Sequence, residues 1–358
     1  MAIYYYRNHQ MEQALLDKIN TAADRMHGGS VPPDIQEGVT AETRHIIDSG
    51  HGTLFAAVAS LAEFSAAHGY PVGVRGLIGN LYIAHLLGIA VNDPMELGLP
   101  WEGCLGLDGS RVPEIFLNVA DEVYKDLEAH LSAIFPECDV YFGIPASETS
   151  WGIVIVPKSS GAYDPGNEYL RFKMCPNRLM SRVSKALRRA GTAPAGEVVL
   201  DEDLIVRAYS EDAADIPVLG DLDDFQDLAC TLEPKSFPEL CKVMGLALAP
   251  DIAFQANRLM MTPDRFTRLI GTREDVYDLC IQHGIGEDDA LHIVQRVGDG
   301  GFNRLTPEYR DMLADHGICG LPWNTLRKVE YLYPRGQCAD YLYWALTLLA
   351  LEHRTCRA

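Results

Sequence analysis

The chain has 358 residues, 47% of them apolar and 22% charged, which is typical of a globular protein and excludes a disordered one. Thirty Lys and Arg against fifty Asp and Glu leave a net charge of −20, which disfavours strong binding to DNA or to an anionic membrane. No run of about 18 apolar residues is present to span a bilayer, and the amino terminus lacks the features of a signal peptide. We therefore expect a cytoplasmic protein.

Cysteine usage indicates free thiols. The nine cysteines are scattered singly along the chain, and no CxxC or CxxH pair is present. Structural zinc sites need such pairs, so the spacing gives a zinc site no support. We expect most of these cysteines to be small buried apolar residues.

Apolar spacing in the first half of the chain predicts helices mixed with short strands. Helices are predicted at residues 10–27, 40–47, 54–68, 77–87 and 121–135. Strands are predicted at residues 115–117, 152–157 and 169–174. The segment from Gly69 to Gly76 is a glycine-rich turn leading into the helix at 77–87. Turns of this kind can bring backbone N–H groups close to a ligand.

The second half has a different pattern. Beyond about residue 195, short helical segments alternate with Gly and Pro, and the last helix is predicted from Gln337 to Leu351. The segment Gly191 to Gly196 combines Gly and Pro and is the predicted boundary. We therefore predict two domains, residues 1–194 and 195–358, in an α+β fold with a mostly helical second domain.

Several motifs resemble those of one family. The segment His68 to Gly79 (HGYPVGVRGLIG) resembles the nucleotide-cradling turn, typically DGYLVGSRGSVG, of the PolC-type alpha subunit of bacterial DNA polymerase III. Trp101 to Asn118 (WEGCLGLDGSRVPEIFLN) is similar to the family's FETFLGFKGDKVPDIDLN. Glu233 to Leu240, Leu305 to Glu308 and Tyr331 to Arg335 are similar to KPKTFSEL, LTPE and YMFPK. The matches keep the family's order along nearly the whole chain.

This resemblance implies a palm and a fingers domain. Residues 1–194 would form the palm, a small mixed sheet of the polymerase-beta-like nucleotidyltransferase type, and residues 195–358 the mostly helical fingers. The span from Val119 to Ser150 is much shorter than the family's insertion that bears the thumb. A thumb holds the primer duplex by contacting the DNA phosphate backbone. The shortened span therefore further disfavours strong DNA binding.

The resemblance also locates the catalytic positions. The family holds two divalent cations with three palm carboxylates, because hard cations need oxygen ligands. Two of these positions fall on Glu114 and Phe116, and the third falls on Lys173. Phenylalanine cannot bind a metal ion, and an ammonium group repels one. The family's nucleotidyltransferase activity would therefore fail here, and Mg²⁺, the cofactor that the resemblance implies, would keep only Glu114. The role of Lys173 would be to pair with Glu114 as an internal salt bridge.

Other positions of the family's site survive as candidate ligand contacts. The glycine-rich turn keeps Gly73, Arg75 and Gly76, and Arg335 keeps a positive charge in the fingers motif. Backbone N–H groups and an arginine can together hold a phosphate. An acidic partner for Arg75 is an equally good interpretation. A helix with Arg182, Lys185, Arg188 and Arg189 forms a basic face, which is either solvated or a phosphate-binding patch.

These observations leave three functions open. The first is a pseudo-polymerase that binds a nucleotide, another phosphorylated small molecule or a protein partner. The second is an enzyme repurposed on the same cleft, acting on a nucleotide or another small molecule with new catalytic residues. The third is a residual DNA-directed nucleotidyltransferase.

Overall fold

A computed structural model describes residues 3–4, 6–106, 114–147, 150–191, 200–248, 262, 266, 268–298 and 300–356. The chain divides into two compact units. The N-terminal unit contains Met1–Met95 and Pro100–Gly196, and the C-terminal unit contains Glu96–Leu99 and Glu197–Ala358. Residues 192–196 of the predicted boundary and residues 107–113 of the motif at Trp101 lie outside the described residues.

The N-terminal unit contains several helices, and some of them lie where apolar spacing predicts a helix. The helices are α1 (His9–Met26), α2 (Pro33–Asp48), α3 (Gly52–Ala67), α4 (Tyr82–Leu86), α5 (Glu102–Leu105), α6 (Tyr124–Ile134) and α7 (Arg178–Ala190). In α1, the side chain of Asn8 accepts hydrogen bonds from the first-turn N–H groups, and Leu15 and Ile19 are buried as predicted. Helix α2 begins earlier than predicted, at Pro33, because proline is well suited to the first position of a helix.

The predicted helix at 77–87 is wrong in its first half. Residues Gly76–Asn80 form a 3₁₀ turn, and α4 begins only at Tyr82. The carboxylate of Glu42 accepts hydrogen bonds from the N–H groups of Tyr82 and Ile83, both at 2.9 Å. A buried carboxylate from α2 therefore satisfies the first N–H groups of α4, and this tertiary contact sets where the helix begins.

The N-terminal unit also contains one small mixed sheet of six strands. They are β1 (Ile3–Tyr4), β2 (Gly73–Arg75), β3 (Phe116–Val119), β4 (Cys138–Ser147), β5 (Ser150–Pro157) and β6 (Glu168–Pro176). Their order is β2-β3-β6-β5-β4, with β1 beside the start of β6. Strand β3 is parallel to β6, whereas the β2–β3, β5–β6 and β4–β5 pairs are antiparallel.

The three predicted strands are confirmed with shifted ends. Strands β1 and β4 were not predicted, and β2 lies in the segment described above as a glycine-rich turn. Gly143 has a φ of +70° within β4, and the pairing with β5 shifts between Tyr141 and Ile144. A bulge of this kind interrupts the alternation of apolar and polar residues by which a strand is recognised in a sequence.

The two faces of the sheet differ in chemistry. Along β6, the buried side chains of Leu170, Phe172 and Met174 alternate with those of Lys173 and Cys175, which are half-buried. Successive residues of a strand point to opposite faces, so the sheet has one apolar face and one face with charged groups. The charged face contains the candidate site residues of the N-terminal unit.

The C-terminal unit is mostly helical. Its helices are α8 (Glu202–Arg207), α9 (Asp223–Leu232), α10 (Phe237–Leu248), α11 (Arg273–Gln282), α12 (Glu287–Gly298), α13 (Pro307–Asp315), α14 (Gly320–Leu326) and α15 (Arg335–Cys356). Helix α15 packs on α10 and buries Leu342, Ala345 and Leu346. The predicted α+β class, a small mixed sheet with a helical remainder, is confirmed.

The state of the cysteines and the search for a membrane-spanning helix can also be compared with the sequence predictions. Cys104, Cys138, Cys241, Cys280 and Cys338 are buried free thiols, as expected, while Cys175, Cys230 and Cys319 are free but more exposed. None of the helices among the described residues is both long enough and apolar enough to cross a membrane.

Candidate ligand-binding site on the sheet

Three predicted site positions lie side by side on the charged face of the sheet. Arg75 on β2 is the register partner of Phe116 on β3, and Phe116 is the register partner of Lys173 on β6. The guanidinium carbon of Arg75 lies 4.8 Å from the centre of the Phe116 ring, and the Nζ atom of Lys173 lies 5.8 Å from it. Two cations therefore flank one phenyl ring, and we call Arg75, Phe116 and Lys173 the cation–phenyl row.

The glycine turn positions Arg75 in this row. Strand β2 ends at Arg75, and Gly76 turns the chain into the 3₁₀ segment with a φ of +73°. This φ lies in the left-handed region, which glycine adopts at little cost and other residues adopt with strain. A Cβ atom on Gly76 would meet only the backbone oxygen of Glu114, at an ordinary contact distance of 3.8 Å. The backbone conformation, rather than lack of space, requires glycine at this position.

Glu114 pairs with Lys173 at one end of the row. The Nζ atom of Lys173 donates a hydrogen bond to Oε1 of Glu114 at 2.5 Å. The side chain of Lys173 is 18% exposed and that of Glu114 is 73% exposed. The predicted pairing is present, but the prediction that it is internal is wrong, because Glu114 lies mostly in solvent. Pairs of this exposure stabilise a fold by about 1 kcal/mol or less.

Asn118 and Cys175 extend the same face, and neither was predicted from the sequence as a site residue. They are register partners of each other, two residues beyond Phe116 and Lys173, and Gly73 lies opposite Asn118. Asn118 is 1% exposed. Burial raises the pKa of the Cys175 thiol, and the charges of Arg75 and Lys173 oppose this rise. The two-residue period of a strand would have identified both positions once Phe116 and Lys173 were known.

Arg335, the fourth predicted ligand-binding residue, lies in the C-terminal unit and is held by other groups of that unit. Its guanidinium donates to the backbone oxygen of Leu97 at 3.0 Å, to Asp275 at 3.2 Å and to Asp278 at 2.6 Å. Burial alone lowers the pKa of Arg335, but the charges of Asp275, Glu274 and Asp278 raise it above its ordinary value. A ligand would have to compete with this network, and ligand binding by Arg335 stays a prediction.

The basic face of α7 is partly paired. Lys185 lies 2.8 Å from Glu122, and Arg188 donates to the hydroxyl of Tyr70 at 2.9 Å. The guanidinium carbon of Arg188 also lies 4.4 Å from the centre of the Tyr70 ring. These contacts account for two of the four cations, and they fit a helix face that packs beside its own neighbours.

Comparison with known proteins identifies relatives of this chain. The family model described as Bacterial DNA polymerase III alpha NTPase domain matches residues 13–143. DNA polymerase III PolC-type from Thermotoga maritima is 18% identical over 91% of this chain and 33% of its own length. The Bacillus subtilis protein is 20% identical over 91% of this chain and 31% of its own length. The Mycoplasma genitalium protein is 37% identical over 95% of this chain and 32% of its own length.

The chain resembles PolC-type DNA polymerase III. It spans about a third of the length of the curated PolC relatives that it matches. The alignment with the Thermotoga maritima protein extends over 452 positions, more than the 358 residues of this chain, so that relative has insertions which this chain lacks.

The residues that the resemblance assigns to the PolC carboxylate positions do not fit a pair of divalent cations. Mg²⁺ needs several oxygen ligands in octahedral geometry. The three positions provide one carboxylate, on the exposed Glu114, and the ammonium group of Lys173 already bonds to it. Within the described ranges, no group of three or more His, Cys, Asp or Glu side chains could hold a metal ion.

Proposed function

We propose that this PolC-like protein binds a phosphorylated small molecule, a nucleotide in the first instance, on the cation–phenyl row without a divalent metal, and does not polymerise DNA. The observation on which the proposal rests is the position of Arg75 and Lys173 on either side of Phe116, in register across three strands. The resemblance assigns cation-binding carboxylates to the Phe116 and Lys173 positions.

The physical basis of the proposal is that side-chain cations can neutralise a phosphate in place of metal ions. A polymerase neutralises the phosphates of its nucleotide with metal ions, whereas fixed ammonium and guanidinium groups can neutralise them directly. The side chain of Lys173 is only 18% exposed. Removal from bulk water lowers the local dielectric, so its attraction to a phosphate is stronger than at a fully exposed site. The phenyl ring between the cations keeps their side chains apart and gives them a rigid support.

Glu114 would act as the resident counter-ion of the site. Its carboxylate bonds to Lys173 but lies mostly in solvent, so it can leave at little cost when a phosphate arrives. The bound phosphate would then accept the hydrogen bond that Lys173 now donates to Glu114. This exchange keeps the charge of Lys173 compensated both with and without ligand.

The absence of polymerisation follows from the same residues. Primer extension by the family's route needs one metal ion to activate the primer hydroxyl and a second to stabilise the leaving pyrophosphate. Phe116 and Lys173 cannot bind either ion. The remaining carboxylate gives at most one ligand, which is too few for a site that must hold two cations in fixed positions.

The experiment is calorimetric titration of nucleoside triphosphates in the presence of EDTA. We expect saturable binding that Arg75→Ala or Lys173→Ala weakens by about 10- to 150-fold, the equivalent of one hydrogen bond to a charged group. Arg25→Ala, an exposed arginine on α1, is the matched control and should bind like the parent. Binding that requires Mg²⁺, or that survives both substitutions, would contradict the proposal.

A primer-extension assay tests the second half of the proposal. We expect no product from a primed template with Mg²⁺ or Mn²⁺ and all four deoxynucleotides. Extension that disappears in Lys173→Ala would instead identify a residual polymerase with a rebuilt site. Turnover of the nucleotide without a template would identify a repurposed enzyme.

A further inference from the structure

The C-terminal unit contains a cavity of about 760 Å³. It lies between the start of α10, one side of α11, the start of α14, and Phe266, Arg268, Leu269 and Ile270. This volume is within the range of sites that enclose a small molecule. All of its lining residues belong to the C-terminal unit, whereas the cation–phenyl row belongs to the N-terminal unit.

Every acidic group of the cavity already has a partner. Asp275 accepts hydrogen bonds from the N–H groups of Gly271 and Thr272 and lies 3.1 Å from the Nζ atom of Lys242. Asp278 accepts from Arg335, and Glu239 accepts from the N–H group of Lys235. The charges of the two aspartates are therefore compensated by cations of the protein, and Glu239 has a backbone donor.

Two hydrogen-bond donors of the cavity, unlike its acids, have no protein partner among the described residues. Arg268 and Gln282 are both exposed and have no side-chain partner among the residues that the structure describes. His283 lies beside Gln282 in the lining, and its Nδ1 atom bonds to the backbone oxygen of His316, which fixes its ring. A ligand with an acceptor or a negative charge would complete the hydrogen bonding of Arg268 and Gln282, whereas a cation would find only acids that are already paired.

The remaining lining is apolar. Phe266, Leu269, Leu279, Leu321 and Pro322 form the greater part of it, and the ring of Phe266 lies 5.9 Å from the Nζ atom of Lys242. Apolar walls favour a hydrocarbon or aromatic body, and a few polar groups fix its orientation. From these two features we infer that the cavity binds an amphipathic organic anion, with an apolar body on these walls and a carboxylate, sulfonate or phosphate beside Arg268 and Gln282.

Two matched probes test this inference. 8-Anilinonaphthalene-1-sulfonate carries an apolar body and one sulfonate, and N-phenyl-1-naphthylamine has the same body without the charge. We expect the sulfonate probe to bind the full chain at one saturable site about tenfold or more tightly than the neutral probe, in fluorescence titration checked by calorimetry. Equal affinity of the two probes, or no saturable site, would overturn the inference.

Substitutions at exposed residues of the cavity then show whether the sulfonate probe binds there, without disturbing the core. Arg268→Ala and Gln282→Glu should remove most of the advantage of the sulfonate probe and leave the neutral probe unchanged. Arg296→Ala, an exposed arginine on α12 outside the cavity, should leave both affinities unchanged. An undiminished advantage in Arg268→Ala and Gln282→Glu would contradict the assignment. Since nucleotide binding is assigned to the other unit, Arg75→Ala should not affect either probe, so the two proposals can fail separately.

Discussion

Lys173 lies directly opposite Phe116 in the register of two parallel strands, with its Nζ atom 5.8 Å from the centre of the phenyl ring. In the resembling family both positions hold carboxylates that share metal ions. In this chain the two positions bring together a cation and an aromatic ring, which attract each other without any metal.

This geometry predicts that metal binding can be restored. The double variant Phe116→Asp, Lys173→Asp would place three carboxylates beside one another and should bind Mn²⁺ that the parent does not bind, in calorimetric titration. Without metal it should unfold at lower temperature than the parent, because neighbouring carboxylates repel one another. Primer extension should remain absent. If parent and variant bind Mn²⁺ equally, or neither binds it, the three side chains do not converge.

Glu114→Gln should increase the affinity for nucleotides. The substitution removes the charge that competes with phosphate for Lys173, so we expect a gain of up to about fivefold, the equivalent of a surface ion pair. Asp126→Asn, at an exposed acid on α6, removes the same charge elsewhere and should change affinity little. Calorimetry in EDTA measures both. A loss of affinity in Glu114→Gln would show that the carboxylate itself contacts the ligand.

Gly76→Ala should destabilise the protein by about 1–2 kcal/mol, because alanine is strained at a φ of +73°. The matched control is Gly38→Ala in α2, where a Cβ atom meets nothing within 4 Å and the backbone is helical. Alanine should stabilise that position by about 0.5–1 kcal/mol. Urea unfolding of both variants gives the comparison, and equal effects of the two would contradict the role of Gly76 in the turn.

Glu42 should make the stability of the protein depend on pH. Burial raises the pKa of Glu42 to about 7, and the two backbone hydrogen bonds from Ile83 and Tyr82 oppose this rise. Between the ordinary pKa of a glutamate and pH 7, the folded state holds a proton that the unfolded state has lost, so stability falls as pH rises through this window. Glu42→Gln cannot titrate. The free energy of unfolding of the parent relative to this variant should decrease from about pH 5 to about pH 8 in urea titrations.

A constant difference between the parent and Glu42→Gln across this pH range would show that Glu42 keeps one protonation state in the fold. Glu37→Gln, at an exposed glutamate on the same helix, provides the control for the loss of an acid. Its difference from the parent should not change with pH over this window.

Much of the fold follows from the sequence where local spacing decides the structure. Helices α1 and α3 have apolar residues at helical spacing, and β6 has the alternation of a half-buried strand. Strands β3 and β5 are short continuous apolar runs, so local sequence predicts all five elements. The residues of the candidate site were also named from the sequence, because the resemblance assigns the family's carboxylate positions to Glu114, Phe116 and Lys173, and only the first of these is a carboxylate.

Tertiary structure alone decided the rest. The start of α4 depends on a carboxylate about forty residues away, and β4 has a bulge that removes its alternation. The exposure of Glu114 and the network around Arg335 likewise depend on which groups meet in three dimensions. Sequence spacing describes neighbours along the chain, whereas the partner of a charged side chain is set by strand register and helix packing, which join residues far apart in sequence.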